Sequence, residues 1–171
     1  MDNLLRNPLK LYIQDIYRAK QTDNKYVYEL FGLRFKNIMI HGVVTSVYNI
    51  TKTSANLEVS DPTGTVHIYY DKKKSNTAVS DSTLRDLKNN YIDASKFGDL
   101  NIQIMTKMMQ GITDKNTVIF EDGDYISVVG DIFVESLKNI RMVSAYNCDR
   151  TNVEYDIVWM EELRYMYDKY Y

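Results

Sequence analysis

Met39-Ile40-His41-Gly42-Val43-Val44-Thr45-Ser46-Val47 and, ten residues on, Leu57-Glu58-Val59-Ser60-Asp61-Pro62-Thr63-Gly64-Thr65-Val66 decide how this chain folds. Ile38, Ile40, Val43, Val44, Thr45 and Val47 make residues 37–50 rich in β-branched side chains, which suit a pleated, half-buried surface. Gly42 interrupts the run and predicts a bulge or sharp bend within one long strand. Thr51-Lys52-Thr53-Ser54 reads as a turn, and residues 55–60 alternate apolar and polar. Asp61-Pro62-Thr63-Gly64 has Pro at the second turn position and Gly at the fourth. Val66, Ile68 and Tyr70 then alternate on one face, so Tyr69 and His67 point the other way. Three strands joined by tight turns form a meander.

Outward from the meander the period changes. Leu9, Tyr12, Ile13, Ile16 and Tyr17 recur at spacings of three and four, predicting a helix over 8–20 capped by Asn7 with Pro8 at its first position. Residues 26–31 read as a short strand turned by Gly32. Downstream, residues 71–82 are polar and contain Lys72-Lys73-Lys74. Residues 84–110 are helical with a break at Phe97-Gly98; Leu100, Ile104, Met108 and Ile112 mark one apolar face. After the turn Glu121-Asp122-Gly123-Asp124 come strands at 125–134, containing Gly130, and 139–146, joined by Ser136-Leu137-Lys138-Asn139. A last helix is predicted over 156–170 with Asp156 as cap; Trp159, Leu163, Met166 and Tyr170 form one stripe, and Met160 and Tyr167 lie beside it.

Helix, three-strand meander, helix, two strands and helix is the order of an OB-fold. The expected class is mainly β with flanking helices: a five-stranded Greek-key barrel with a helix between its third and fourth strands. The chain divides accordingly into an N-terminal helix and lead-in strand (1–36), the barrel (37–150, with a loop and helical insertion at 71–124) and a C-terminal interaction helix (151–171).

Composition narrows the function. The 171 residues suffice for one core, and the apolar 44% and charged 26% are those of a globular protein. No apolar run approaches the ~20 residues of a membrane span, and the opening residues lack a signal-peptide apolar region. One cysteine, Cys148, points to a reducing compartment; with two histidines it leaves no Cys/His zinc site. The net charge of −2 argues against bulk attraction to duplex DNA. The charge is uneven: residues 1–53 carry eight Lys/Arg against four Asp/Glu, and residues 54–171 thirteen against nineteen. Fifteen tyrosines supply flat faces with polar tips, suited to interfaces and base stacking, or reflect an Asn- and Lys-rich compositional habit.

The two opening segments, together with Gly123-Asp124-Tyr125-Ile126-Ser127-Val128-Val129-Gly130, resemble the first to fourth barrel strands of the replication protein A middle-subunit superfamily. Leu11-Tyr12-Ile13-Gln14-Asp15-Ile16, Val158-Trp159 and the Tyr-rich last helix narrow the resemblance to the amino-terminal OB domain of the Stn-type subunit of the CST telomere-capping complex. The chain departs from that pattern at Ser60, where an acidic residue is common, and lacks the aromatic that often follows the third strand. The resemblance implies a non-enzymatic nuclear protein at chromosome ends, without cofactor. It implies a heterodimer with a small OB-fold (Ten-type) subunit, a large OB-fold CST subunit, and contact with DNA polymerase alpha–primase and telomerase. Single-stranded telomeric DNA would be bound weakly or jointly. The rival expectations are a replication protein A middle subunit or paralogue, and an OB-type RNA- or tRNA-binding domain of a larger enzyme.

Two sets of site residues follow. Trp159, Leu163, Met166, Tyr167 and Tyr170 are the expected partner-binding stripe, with Leu163 and Met166 at the positions that face the small subunit in the resembled family; the alternative is packing of the same stripe on the chain's own barrel. Tyr48, Lys52, Tyr69, Phe133, Lys138 and Arg141 are the expected nucleic-acid contacts, as stacking planes and backbone cations, against the alternative of aromatics in the core and solvated lysines. His41 is expected to be structural and His67 to face outward; Glu121, Asp122 and Asp124 read as a turn rather than metal ligands, and Cys148 as unreactive.

Overall fold

The computed structural model describes residues 4–72, 81–114 and 120–171. Its elements run β1 (Leu9–Lys10), α1 (Ile13–Arg18), β2 (Lys20–Gln21), β3 (Tyr28–Leu30), β4 (Leu33–Phe35), β5 (Asn37–Tyr48), β6 (Ser54–Asp61), β7 (Gly64–Asp71), α2 (Asp81–Ser95), α3 (Leu100–Asp114), β8 (Tyr125–Glu135), β9 (Ile140–Arg150) and α4 (Val153–Tyr170).

Strands β5, β6 and β7 form the antiparallel meander. β7 then pairs in parallel with β9, His67 opposite Met142 and Tyr70 opposite Ala145. β9 pairs antiparallel with β8, and β8 returns antiparallel to the first half of β5, from Asn37 opposite Asp131 to Val43 opposite Tyr125. The five strands close on themselves, which is the OB-fold barrel, and closure pairs the barrel's two edge strands, β5 and β8, with each other. Alternation fills the interior with Ile38, Ile40, Val44, Leu57, Val59, Val66, Ile68, Tyr70, Ile126, Val128, Ile132 and Val143.

Gly42 does not carry the bulge expected there; the register shift of β5 lies between Val44 and Ser46. A Cβ on Gly42 would collide with the Ser60 carbonyl, so this glycine permits close approach of β6 instead. Gly130 sits at the second register shift, between Val129 and Gly130, where a Cβ would meet the Ser144 carbonyl.

The helix expected over 8–20 is shorter. Leu9–Lys10 pairs in parallel with Ile38–Met39, and the helix spans Ile13–Arg18. Leu9, Leu11 and Ile13 are all buried, a spacing of two that fits extended chain. Asn7 is not the cap. The β6–β7 turn caps the helix from outside: the Ile13 N–H donates to Asp61 Oδ2 at 2.8 Å and the Gln14 N–H to Thr63 Oγ1 at 3.1 Å. Asp61 Oδ1 also accepts from the Thr63 and Gly64 N–H groups, so one carboxylate closes its own turn and starts a helix. The small sheet β2–β3–β4 follows, with Phe31 (φ 53°) and Gly32 (φ 75°) in its tight turn.

The insertion breaks at Gly98 (φ 84°) into α2 and α3, which pack on each other; the Thr106 hydroxyl donates to the Tyr91 carbonyl at 3.1 Å. Leu100, Ile104 and Met108 face solvent. Lys73 and Lys74 lie outside the described residues, as does the side chain of Ile112.

The last helix begins three residues before its expected start. Asn152 is its cap, its side chain accepting from the Tyr155 N–H at 2.8 Å, and Asp156 bonds to the barrel instead. No helix among the described residues is long and apolar enough to cross a membrane.

Candidate nucleic-acid interface

On the outer face of the barrel the registers bring two rows together. One runs Ser46, Glu58, His67, Met142, Phe133 across β5, β6, β7, β9 and β8; the other runs Tyr48, Asn56, Tyr69, Ser144, Asp131. Tyr48, Tyr69 and Phe133 thus share one face, each half-buried, while Tyr70 is turned into the core. Lys52 is exposed in the β5–β6 turn and Lys138 in the β8–β9 hairpin, at the two ends of this face. Stacking planes flanked by backbone cations are what a single strand requires.

The face is not strongly basic. Burial raises the Tyr48 phenol pKa, and the carboxylates of Glu58 and Glu135 raise it further. Asp131 is pushed up by burial, partly opposed by Lys36, and its Oδ1 has no hydrogen-bond partner among the described residues. Arg141 is a correction. Its Nη1 donates to the carbonyls of Ile16 (2.7 Å), Tyr17 (3.0 Å) and Ala19 (2.6 Å), and its guanidinium lies over Tyr28. It caps the carbonyl end of α1, where a cation also suits the helix dipole, so its Nη1 is committed to the fold. With Arg141 engaged in this way, Lys52 and Lys138 are the exposed cations of this face from the expected set.

The partner stripe is also revised. Trp159 and Leu163 are 1% and 0% exposed within the chain itself, so neither can face another subunit. Trp159 lies by His41 and under Lys10 Nζ. Met166 is half-buried. Tyr167 packs on Tyr12, Phe31 and Tyr171 and bonds to Asp15. The Tyr170 side chain lies outside the described residues. The inner stripe of α4 therefore belongs to the fold, and its opposite side exposes Ile157, Val158 and Tyr165 between Glu154, Glu161 and Asp168. The 3.6-residue period that marks the inner stripe was legible; the scattered outer apolar residues carried no periodic signal.

His41 is structural. Buried at 1% exposure, it bonds through Nδ1 to Asp156 (2.9 Å) and through Nε2 to Thr151 (2.7 Å), fastening the first turn of α4. Burial lowers its pKa and the Asp156 carboxylate opposes that. Glu121 to Asp124 is a turn: Asp124 accepts from the Glu121 N–H and pairs with Arg150 at 2.7 Å. Cys148 is buried, which drives its thiol pKa well up and away from thiolate chemistry. Among the described residues no three His, Cys, Asp or Glu side chains are placed to hold a metal ion.

No protein-family model and no curated protein matches the chain in sequence. Solved structures share its fold. A chain of the S. pombe Stn1–Ten1 complex is 18% identical, the match covering 95% of this chain and 91% of that one with a TM-score of 0.53. A chain of a replication protein A heterotrimer bound to single-stranded DNA is 17% identical, covering 92% and 91%, with a TM-score of 0.53. A chain from yeast Stn1 and Ten1 is 10% identical, covering 92% and 70%, with a TM-score of 0.54. At these identities the likeness establishes the OB-fold.

Proposed function

We propose that this chain is a non-enzymatic OB-fold subunit of a complex on single-stranded DNA, and specifically the Stn-type subunit of a CST-like complex at chromosome ends in the nucleus. Its role is assembly. The outer face of α4 receives a small OB-fold (Ten-type) subunit, and the barrel face contributes part of a shared DNA site. A large OB-fold subunit and DNA polymerase alpha–primase, which fills in the complementary strand, complete the set; telomerase is a further contact.

The observation that carries this reading is α4 itself. Having buried Trp159 and Leu163, it still exposes Ile157, Val158 and Tyr165 on its far side. Apolar residues left on the far side of a helix whose inner stripe is already buried suit contact with a second body. The aromatic rows support strand binding, and the acidic groups around Tyr48 support a weak or shared site. The fold shared with Stn1–Ten1 chains is compatible with this choice, as is the fold shared with a replication protein A chain with the rival one. The replication protein A reading uses the same aromatic face and differs in predicting strong binding by the chain alone.

The test is fluorescence anisotropy with a labelled single strand, using the chain alone and the chain co-purified with its small partner. The reading predicts that the complex binds at least about tenfold more tightly, as two sites joined in one assembly do. Equal affinity, already submicromolar for the chain alone, would favour the replication protein A reading.

A further inference from the structure

We infer that His67 is a positioning residue of the strand-binding face: it fixes the Tyr48 ring for stacking and presents its own Nε2–H to an acceptor oxygen of the bound strand. The inference rests on the proposed single-strand reading and deepens it.

Tyr48 is on β5 and His67 on β7, with β6 between them. The Tyr48 side chain crosses β6 so that its hydroxyl meets His67 Nδ1 at 3.0 Å, the rings edge to face at 84° with centroids 6.3 Å apart. The direction of this bond depends on the imidazole tautomer; in the arrangement we infer, the hydroxyl donates and Nδ1 accepts. A neutral imidazole that accepts at Nδ1 carries its proton on Nε2. Nothing among the described residues bonds to Nε2. On the strands beside β7, His67 is opposite Glu58 and Met142, and Glu58 is engaged by the Thr45 hydroxyl at 3.0 Å. The pair therefore holds a ring by two points, its backbone and its hydroxyl, and lowers the entropy a stacking side chain loses on binding. The free N–H lies in the row that leads to Met142 and Phe133, along the path a strand would take across the sheet.

The experiment measures binding of the full chain at low salt to labelled oligothymidine and to an abasic strand of equal length, with melting curves showing that each variant is folded. Tyr48→Phe should weaken oligothymidine binding about fivefold, the loss of one hydrogen bond; His67→Phe, which also removes the Nε2–H contact, should weaken it further, and the double variant should be no weaker than His67→Phe alone. His67→Gln keeps an acceptor and a donor and should recover to within about twofold of wild type. The same loss on the abasic strand assigns the acceptor to phosphate; loss confined to oligothymidine assigns it to a base. If His67→Phe binds like wild type while Tyr48→Ala binds weakly, or if the two losses multiply, the inference is overturned and the strand-binding face stands. If neither wild type nor its complex with the small partner binds either strand, both readings are overturned.

Discussion

The hydroxyl of Tyr167, near the end of the chain, donates to the carboxylate of Asp15, a residue with no exposed surface. The same oxygen accepts from the Tyr12 N–H at 3.2 Å, and burial followed by the Asp15 bond drives the Tyr167 phenol pKa well up. Asp15 otherwise holds Arg18 at 3.2 Å. The last helix is thus locked to the first, and α4 is part of the folded unit rather than an arm attached to it.

Tyr167→Phe keeps the ring packing and removes one partner of a buried carboxylate. It should cost about 1–3 kcal/mol, the penalty for an unsatisfied buried acceptor. Urea unfolding followed by circular dichroism measures it; an unchanged midpoint would show that water replaces the hydroxyl at no cost.

Arg141 ties β9 to α1 through three carbonyls. Arg141→Met should destabilise by about 2–3 kcal/mol, and Arg141→Lys should recover only part, since an ammonium lacks the planar fork. Under conditions where both variants are fully folded, single-strand affinity should match wild type. A specific loss of affinity at unchanged stability would return Arg141 to the DNA face.

Stability should fall on acidification through His41. Burial lowers its pKa in the folded state from the ordinary 6.5. The unfolded chain therefore binds a proton first as pH drops, and the stability due to the neutral ring is complete above about 6.5 and lost progressively below it. Asp131, raised by burial, has the opposite sign in the carboxylate range. The difference between wild type and His41→Asn isolates the histidine: it should shrink from pH 7.5 to pH 5. A difference constant with pH would mean that His41 keeps the same proton count in both states.

Much of the fold was legible because its signals are local. The alternation at Ala55, Leu57 and Val59 and at Val66, Ile68 and Tyr70, and the Asp61–Gly64 turn, each specify a strand or turn from neighbouring residues alone. Errors came where the partner is distant in sequence. Asn7 looks like a helix cap beside Pro8, but the cap is Asp61, 48 residues from Ile13. Arg141 looks like a free cation on a strand, and its carbonyl partners lie 122–125 residues away. The stripe through Trp159 and Leu163 is legible as apolar and helical, yet period alone cannot say whether a helix buries its stripe in its own barrel or in a partner. Alternation places His67 outward; the reach of Tyr48 across β6 to it depends on a register that sequence does not show.

The most direct test of the account is light scattering of the chain co-expressed with its small OB-fold partner, for wild type, Val158→Glu and Leu163→Glu. The account predicts a ~1:1 complex for wild type. Val158→Glu should be folded, within about 0.5 kcal/mol of wild type, and elute alone, because the exposed side of α4 is the interface. Leu163→Glu should fail to fold stably, since it places a charge at a fully buried position. A folded Leu163→Glu that loses the partner, beside a Val158→Glu that keeps it, would contradict the account and return the interface to the inner stripe.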